Sequence, residues 1–173
     1  IPSKLRDDLG ENFIVTRGLD GCLFLYPKCE WDKIITKYKE LPDTKDKRQF
    51  MRIFLSGATI CEYDKQGRIN IPKPLIDYAD LNKDCIIIGV DEKLEIWSKE
   101  RWEQFISDKV KNAMEALYGA SAANLPLQTQ ATRKEFEGDV TAVMFPFLKV
   151  SKKSPEMTGE EVGQYLLANT PEI

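Results

Sequence analysis

The chain has 173 residues, with 25 Lys and Arg against 28 Asp and Glu, a net charge of −3, and no histidine. That length can bury the core of one or two domains. The slight acidity argues against a uniformly basic nucleic-acid surface, and the lack of His removes Ser-His and Cys-His catalysis. No apolar run approaches the roughly 18 to 20 residues that cross a bilayer, and no charged, apolar, small-residue leader opens the chain. A cytoplasmic protein without a membrane partner is expected. Cys22, Cys29, Cys61 and Cys85 form no C-x-x-C pair, so a zinc site would need four thiolates from scattered strands. Cys22, Cys61 and Cys85 lie in or beside apolar runs and are expected in the core. No metal or cofactor is expected.

A repeat organises the first part. Ile1-Pro2-Ser3-Lys4 matches Ile71-Pro72-Lys73-Pro74, the Asn12-to-Tyr26 stretch is echoed by Asp84 to Trp97, and each copy then runs into a helix with a tryptophan, Trp31 and Trp102. An offset that drifts only between 70 and 72 argues for two copies of one supersecondary unit that bury a core against each other. Strands are predicted near 13–17, 22–26, 59–63, 68–72, 85–89 and 93–97, where β-branched and aromatic residues are bounded by Gly or Asp turns. A helix over 30–40 puts Trp31, Ile34, Ile35 and Tyr38 on one face and stops before Pro42. A second, from 44 to Ser56-Gly57, gathers Phe50, Ile53 and Phe54 and carries Arg48 and Arg52 one turn apart.

From Ser98, a plausible N-cap, Trp102, Phe105, Ile106, Val110, Ala113, Met114 and Leu117 recur at helical spacing until Gly119 offers a stop. The Val140-to-Val150 run predicts an interrupted strand, or a strand and a turn, because Pro146 cannot donate to a ladder. Ser154 caps a last helix with Pro155 at its first position and Met157, Val162, Tyr165 and Leu166 on its buried face.

The segment Glu62-Tyr-Asp64-Lys65-Gln-Gly67-Arg68-Ile-Asn-Ile71-Pro72 says most about function. Asp64 and Arg68 bracket a Gly-containing turn between predicted strands. An arginine there presents planar donors that suit phosphate or guanine edges; read alone, the segment is equally an ordinary hairpin turn with a surface ion pair.

With Ile1-Pro-Ser-Lys-Leu-Arg6, Val15-Thr-Arg-Gly-Leu-Asp-Gly-Cys-Leu23, Phe54-Leu-Ser-Gly-Ala-Thr59 and Ile96-Trp-Ser-Lys-Glu-Arg-Trp102, this segment makes residues 1 to about 107 resemble the MraZ family, built from two AbrB-like swapped-hairpin units. The resemblance implies an α+β fold that continues through a shared helix into a small α+β module. It also implies a transcriptional regulator, nucleoid-associated, that binds short direct repeats of duplex DNA ahead of the division and cell-wall gene cluster as a ring-shaped homo-oligomer. Asp64 and Arg68 fall on the family's Asp-x-x-x-Arg signature. Arg68 is then the lead DNA contact, Lys65 a phosphate contact and Asp64 the residue that steadies the turn. The family's first unit opens with its own such strand and turn, whereas this chain opens at the Ile-Pro that follows them, so a truncated first repeat with an exposed sheet edge is expected.

Residues from about 108 to 173 resemble a different family, the N-terminal additional domain of bacterial arginyl-tRNA synthetase. The carrying residues are Ala116-Leu-Tyr118, Thr132-Arg-Lys-Glu-Phe-Glu-Gly-Asp139, the Val140-to-Val150 run and Ser151-Lys-Lys-Ser-Pro-Glu156 leading to Gly163-Gln-Tyr-Leu-Leu167. That resemblance implies an incomplete module that touches tRNA, with Lys149, Lys152 and Lys153 as candidate RNA contacts; the default for three such lysines is a solvated patch. Three readings follow: a DNA-binding regulator, a tRNA-binding accessory module, and a fusion or scaffold chain without ligand. None is an enzyme.

Overall fold

A computed structural model describes residues 1–132 and 140–169, and the chain divides into two compact units, residues 1–102 and 103–173. In the first unit α1, Ser3–Leu9, follows Pro2 and ends at Gly10, whose φ of 77° closes the last turn. β1, Asn12–Arg17, and β2, Leu23–Pro27, form a hairpin that leads into α2, Lys28–Glu40. α3, Lys45–Ser56, is capped by Thr44, whose hydroxyl accepts from Lys47 N at 3.1 Å, and β3, Thr59–Glu62, comes next. The pattern then recurs: Pro72, α4 (Lys73–Ala79) closed by left-handed Asp80, the hairpin of β4 (Cys85–Val90) and β5 (Lys93–Ser98), and α5, Lys99–Tyr118.

The five strands make one antiparallel sheet in the order β3-β1-β2-β5-β4. The two hairpins meet where β2 pairs with β5, in the register Leu23↔Ile96, Phe24↔Glu95 and Leu25↔Leu94. Because Leu23 is the repeat equivalent of Leu94 and Leu25 of Ile96, exchanging the copies returns the same register. The seam therefore carries a local two-fold relation centred on the Phe24–Glu95 pair. Leu23, Leu25, Leu94 and Ile96 are buried there with Leu9, Phe13, Val15 and Leu75 in one core. On the opposite side Trp31, Tyr38, Phe50 and Phe54 stack, with ring centroids 5.0–5.2 Å apart along Trp31–Phe54–Phe50–Tyr38. The buried Thr16 hydroxyl ties α3 to β1 by donating to Phe54 O.

Arg101, one turn into α5, fastens the second copy onto the first. Its Nη1 donates to Gly21 O in the β1–β2 turn (2.7 Å) and to Tyr78 O at the end of α4 (3.0 Å). Tyr78 adds its own hydroxyl to Gly18 O at 2.5 Å, and Arg17 lies 5.6 Å over the Tyr78 ring.

α5 runs unbroken for 20 residues, with Ser98 Oγ accepting from Arg101 N at 3.4 Å and Gly119 (φ 87°) at its end. In the second unit it is followed by α6 (Ala120–Ala123), the two-stranded sheet of β6 (Gln128–Ala131) and β7 (Val140–Val143), a 3-10 turn at Phe145–Phe147, α7 (Leu148–Ser151) and α8 (Pro155–Asn169). Val110, Ala113, Met114, Ala122, Met144, Phe147 and Val162 form its core. Tyr118 donates to Glu161 Oε2 at 2.5 Å, while Lys153 binds Glu161 Oε1. The whole is the α+β architecture of two AbrB-like units continued through a helix into a small α+β module. Among the described residues no helix is long and apolar enough to cross a membrane.

Several expectations are corrected. Residues 68–72 are not a strand: beyond Asp64 N donating to Arg68 O (2.8 Å) no ladder forms there, Pro72 offers no donor, and Ile69 and Ile71 serve the core by side-chain packing alone. The 140–150 run is a short strand and then helical turns, because Pro146 sits in the first turn of a helical segment where its missing donor costs nothing. Cys85 is exposed, at the start of a β4 strand in which no residue is fully buried, whereas Cys22 and Cys61 are buried. Ile53 and Met157 face outward at 48% and 53% exposure, leaving Phe54 and Thr158 to fill the positions beneath α3 and α8. The seven-residue helices α1 and α4 carry too few apolar positions to show a period, and the sequence reading passed over them.

Two measurements check these packing arguments. Arg101→Met leaves the Gly21 and Tyr78 carbonyls without that donor and should cost about 1–3 kcal/mol in urea unfolding. The Glu161 carboxyl is held below its ordinary value of 4.5 by hydrogen bonds from Lys153 and Tyr118. A carboxylate with a lowered folded pKa adds stability above its unfolded pKa, and loses it as pH falls through the folded one. The melting temperature of the wild type should therefore drop more steeply than that of Glu161→Gln as pH falls from 4.5.

Candidate functional site

β3 runs into a turn that Asp64 organises almost single-handedly. Its Oδ1 accepts from Gln66 N at 2.8 Å and from Arg68 N at 2.9 Å, its Oδ2 accepts from Arg68 Nε at 2.7 Å, and its carbonyl accepts from Gly67 N at 2.9 Å. The Arg68 backbone amide, and then the Arg68 side chain, hold the Asp64 carboxyl below the usual carboxylate range. A carboxylate that receives three N–H donors stays ionised and fixes both the turn and the guanidinium.

Gly67 is required at its position. Its φ is 74°, and a Cβ there would strike Nη1 of Arg6. Arg6 thus lies directly under the turn, with Nε buried and unpaired, beside a Tyr63 hydroxyl that is also buried without a partner. Sequence reasoning assigned Arg6 no role; its only signal was membership of the Ile-Pro-Ser-Lys-Leu-Arg6 motif.

The Arg68 side chain is 71% exposed. Nε is spent on Asp64, and the two terminal nitrogens have no partner among the described residues. Lys65 projects from the same turn, exposed, and likewise has no partner among the described residues. Glu62, Tyr63, Asp64, Arg68, Ile69 and Asn70 line an open depression at this point. The two residues singled out from the sequence as DNA contacts, Arg68 and Lys65, and the turn-steadying Asp64 therefore share one exposed turn.

The candidate RNA lysines are less uniform. Lys149 on α7 and Lys152, which adopts a left-handed φ of 56°, are exposed, whereas Lys153 is engaged by Glu161 and lies 6.0 Å over the Tyr118 ring. Residues 133–139 of the Thr132-to-Asp139 motif lie outside the described residues. No group of three or more Cys, Asp or Glu among the described residues has the arrangement of a metal site.

The geometry defines a class of protein: a pair of repeated β units joined in one sheet, with a carboxylate-braced arginine turn on the outside and a compact helical continuation. The family model described as "MraZ protein, putative antitoxin-like" matches residues 1–53 and again residues 54–118. These matches cover well over half of the chain and each holds one copy of the repeat, and the chain belongs to the MraZ family. That family is regulatory rather than enzymatic, and DNA-binding and oligomeric in general. The second match runs to the end of α5 and so takes in Ala116-Leu-Tyr118, and it lends the synthetase resemblance no support.

Gly67→Ala should unfold the turn locally: a strained left-handed Cβ costs about 1–3 kcal/mol, and Arg6 blocks relaxation inward. Hydrogen exchange at the Gln66 and Arg68 amides should accelerate, while the β1–β2 amides remain protected.

Proposed function

We propose that this chain is a sequence-specific, DNA-binding transcriptional regulator that meets duplex DNA through the Asp64–Arg68 turn. The observation that carries the reading is the division of the Arg68 guanidinium, with Nε locked to Asp64 at 2.7 Å and the outer nitrogens turned to solvent. A planar fork already held in place loses little freedom when it pairs bidentately with a guanine edge or a phosphate. Asp64 braces, Arg68 reads, and Lys65 supplies a backbone contact.

A net charge of −3 means that affinity cannot come from the surface as a whole. A homo-oligomer that presents several turns along short direct repeats would gain it through effective concentration. The same reading expects a cytoplasmic, nucleoid-associated protein, with the division and cell-wall gene cluster as the target that the family resemblance implies. The rival reading, a tRNA-binding module in residues 108–173, draws on exposed Lys149 and Lys152 and is weakened by the engagement of Lys153 with Glu161.

Titration of direct-repeat duplex, scrambled duplex and tRNA at two salt concentrations separates these readings. Arg68→Ala should cost about 1–3 kcal/mol on the repeat and relax sequence preference. Lys65→Ala should weaken all duplexes alike and reduce the salt slope by about one. Equal affinity for both duplexes, unchanged by Arg68→Ala, would leave a scaffold without ligand; preference for tRNA would favour the C-terminal reading.

A further inference from the structure

The local two-fold of the first unit permits a comparison inside one molecule. At one end of the sheet seam three side chains fill the space between the hairpin turn, the preceding short helix and the following long one. They are Tyr78, Arg17 over its ring at 5.6 Å, and Arg101, bound to Gly21 O and Tyr78 O at 2.7 and 3.0 Å. The repeat equivalents at the other end, at offsets of 70, 72 and 71, are Asp8, Gly89 and Glu30. An aromatic ring and two guanidinium groups are thus replaced by two short acids and a glycine. The space they occupy at the first end is open at the second, as a cavity of about 350 Å³.

The walls of that cavity keep the character of the filled socket. Leu5, Leu9 and Leu94 give an apolar floor that suits a methylene stem. Asp8, Glu30, Asp91 and Glu92 line it as well, against a single cation, Lys93, which is already paired with Glu95. The Glu30 side chain is 15% exposed and receives Lys33 Nζ at 2.7 Å and the Cys29 thiol at 3.7 Å. Lys33 is 60% exposed and approaches from outside. The Glu30 carboxyl, held below its usual range by Lys33 and Glu92, in turn holds that of Glu92 above its usual range through the hydrogen bond between them. Gly89 admits a ligand without strain: an added Cβ would meet only Leu94 and Leu5, at 3.8 and 4.0 Å.

We propose that this cavity binds an alkyl-guanidinium group in trans, in the place that Arg101 fills in cis at the other end of the seam. The site is separate from the Asp64–Arg68 turn and does not depend on the DNA reading. The socket supplies what the filled one supplies to Arg101, a pair of acceptors at the end of a sheath, with carboxylates in place of carbonyls. Arginine carried on a partner polypeptide and a free arginine-like metabolite share this chemistry.

The test is a titration of the intact chain with N-acetyl-arginine amide, followed by amide chemical shifts, with the neutral isostere N-acetyl-citrulline amide as control at matched ionic strength. Shifts should saturate at Leu5, Glu30, Gly89 and Glu92 with the arginine probe and be absent with citrulline. Affinity should fall at least about tenfold in Glu30→Gln, where a charged acceptor is lost. Gly89→Arg, which restores the side chain found at the equivalent position, should abolish binding by filling the cavity. A peptide with one internal arginine that binds at least about tenfold more tightly than the amide would identify a polypeptide source; equal affinity would identify a small molecule. Equal shifts with citrulline, shifts away from these residues, or saturation unaltered by Glu30→Gln would overturn the proposal.

Discussion

Everything in the first unit depends on the pairing of β2 with β5. Neither hairpin can bury its apolar face alone, and a two-stranded ribbon is marginal in water. Joined, they place Leu23, Leu25, Leu94 and Ile96 in a continuous core, all at or below 4% exposure. The pairing is also self-consistent: each copy offers the other the register that it receives, with Phe24 opposite Glu95 at the centre. A buried carboxylate at such a point is costly unless paired, and Glu95 is held by Lys93 at 2.5 Å and the Trp97 indole at 2.9 Å. The two-fold is thus kept in the backbone while its side chains diverge.

That divergence sets the two flanks and the two ends of the seam apart. One outer flank of the sheet is β3, which flows directly into the Asp64–Arg68 turn, so the turn inherits the rigidity of a strand paired with β1 in the core. The other flank is β4, which has no such strand beside it among the described residues. Likewise one end of the seam is filled by Arg17, Tyr78 and Arg101 and the other is open and acidic. A fold assembled from two copies of one unit presents an arginine on one side and an open, largely acidic cavity on another. The slight overall acidity is compatible with both, since charge is placed locally.

The repeat was legible because its punctuation is local. Ile-Pro before each short helix, Gly10 or Asp80 at its end, the Asp-containing hairpin turns and the tryptophans of α2 and α5 recur at nearly fixed spacing. The continuous α5 and its Ser98 cap were legible for the same reason, as was the adjacency of Asp64, Lys65 and Arg68. What was not legible depends on tertiary order. The exposure of Cys85 follows from the incomplete cover of β4, none of whose residues is fully buried, which no alternation in Cys85-Ile-Ile-Ile-Gly-Val90 reveals. Arg6 and Arg101 carried no readable role because what they lie against, a turn glycine and backbone carbonyls, is distant in sequence. The supposed strand at 68–72 has the right composition, but its first amide is captured by Asp64 and its last position is proline. Ile53 and Met157 show that helical spacing fixes a stripe only to within one neighbouring position.

The central claim is that the two copies fold as one cooperative sheet through the β2–β5 seam. The most direct measurement is native-state hydrogen exchange as a function of denaturant at Leu23, Leu25, Leu94 and Ile96 together with the β1 and β4 amides that flank the seam pair. The account predicts that the seam residues of both copies exchange only by global unfolding, with one free energy and one denaturant slope. Exchange of the β4–β5 amides through a separate opening of lower free energy, with β1–β2 still protected, would contradict it.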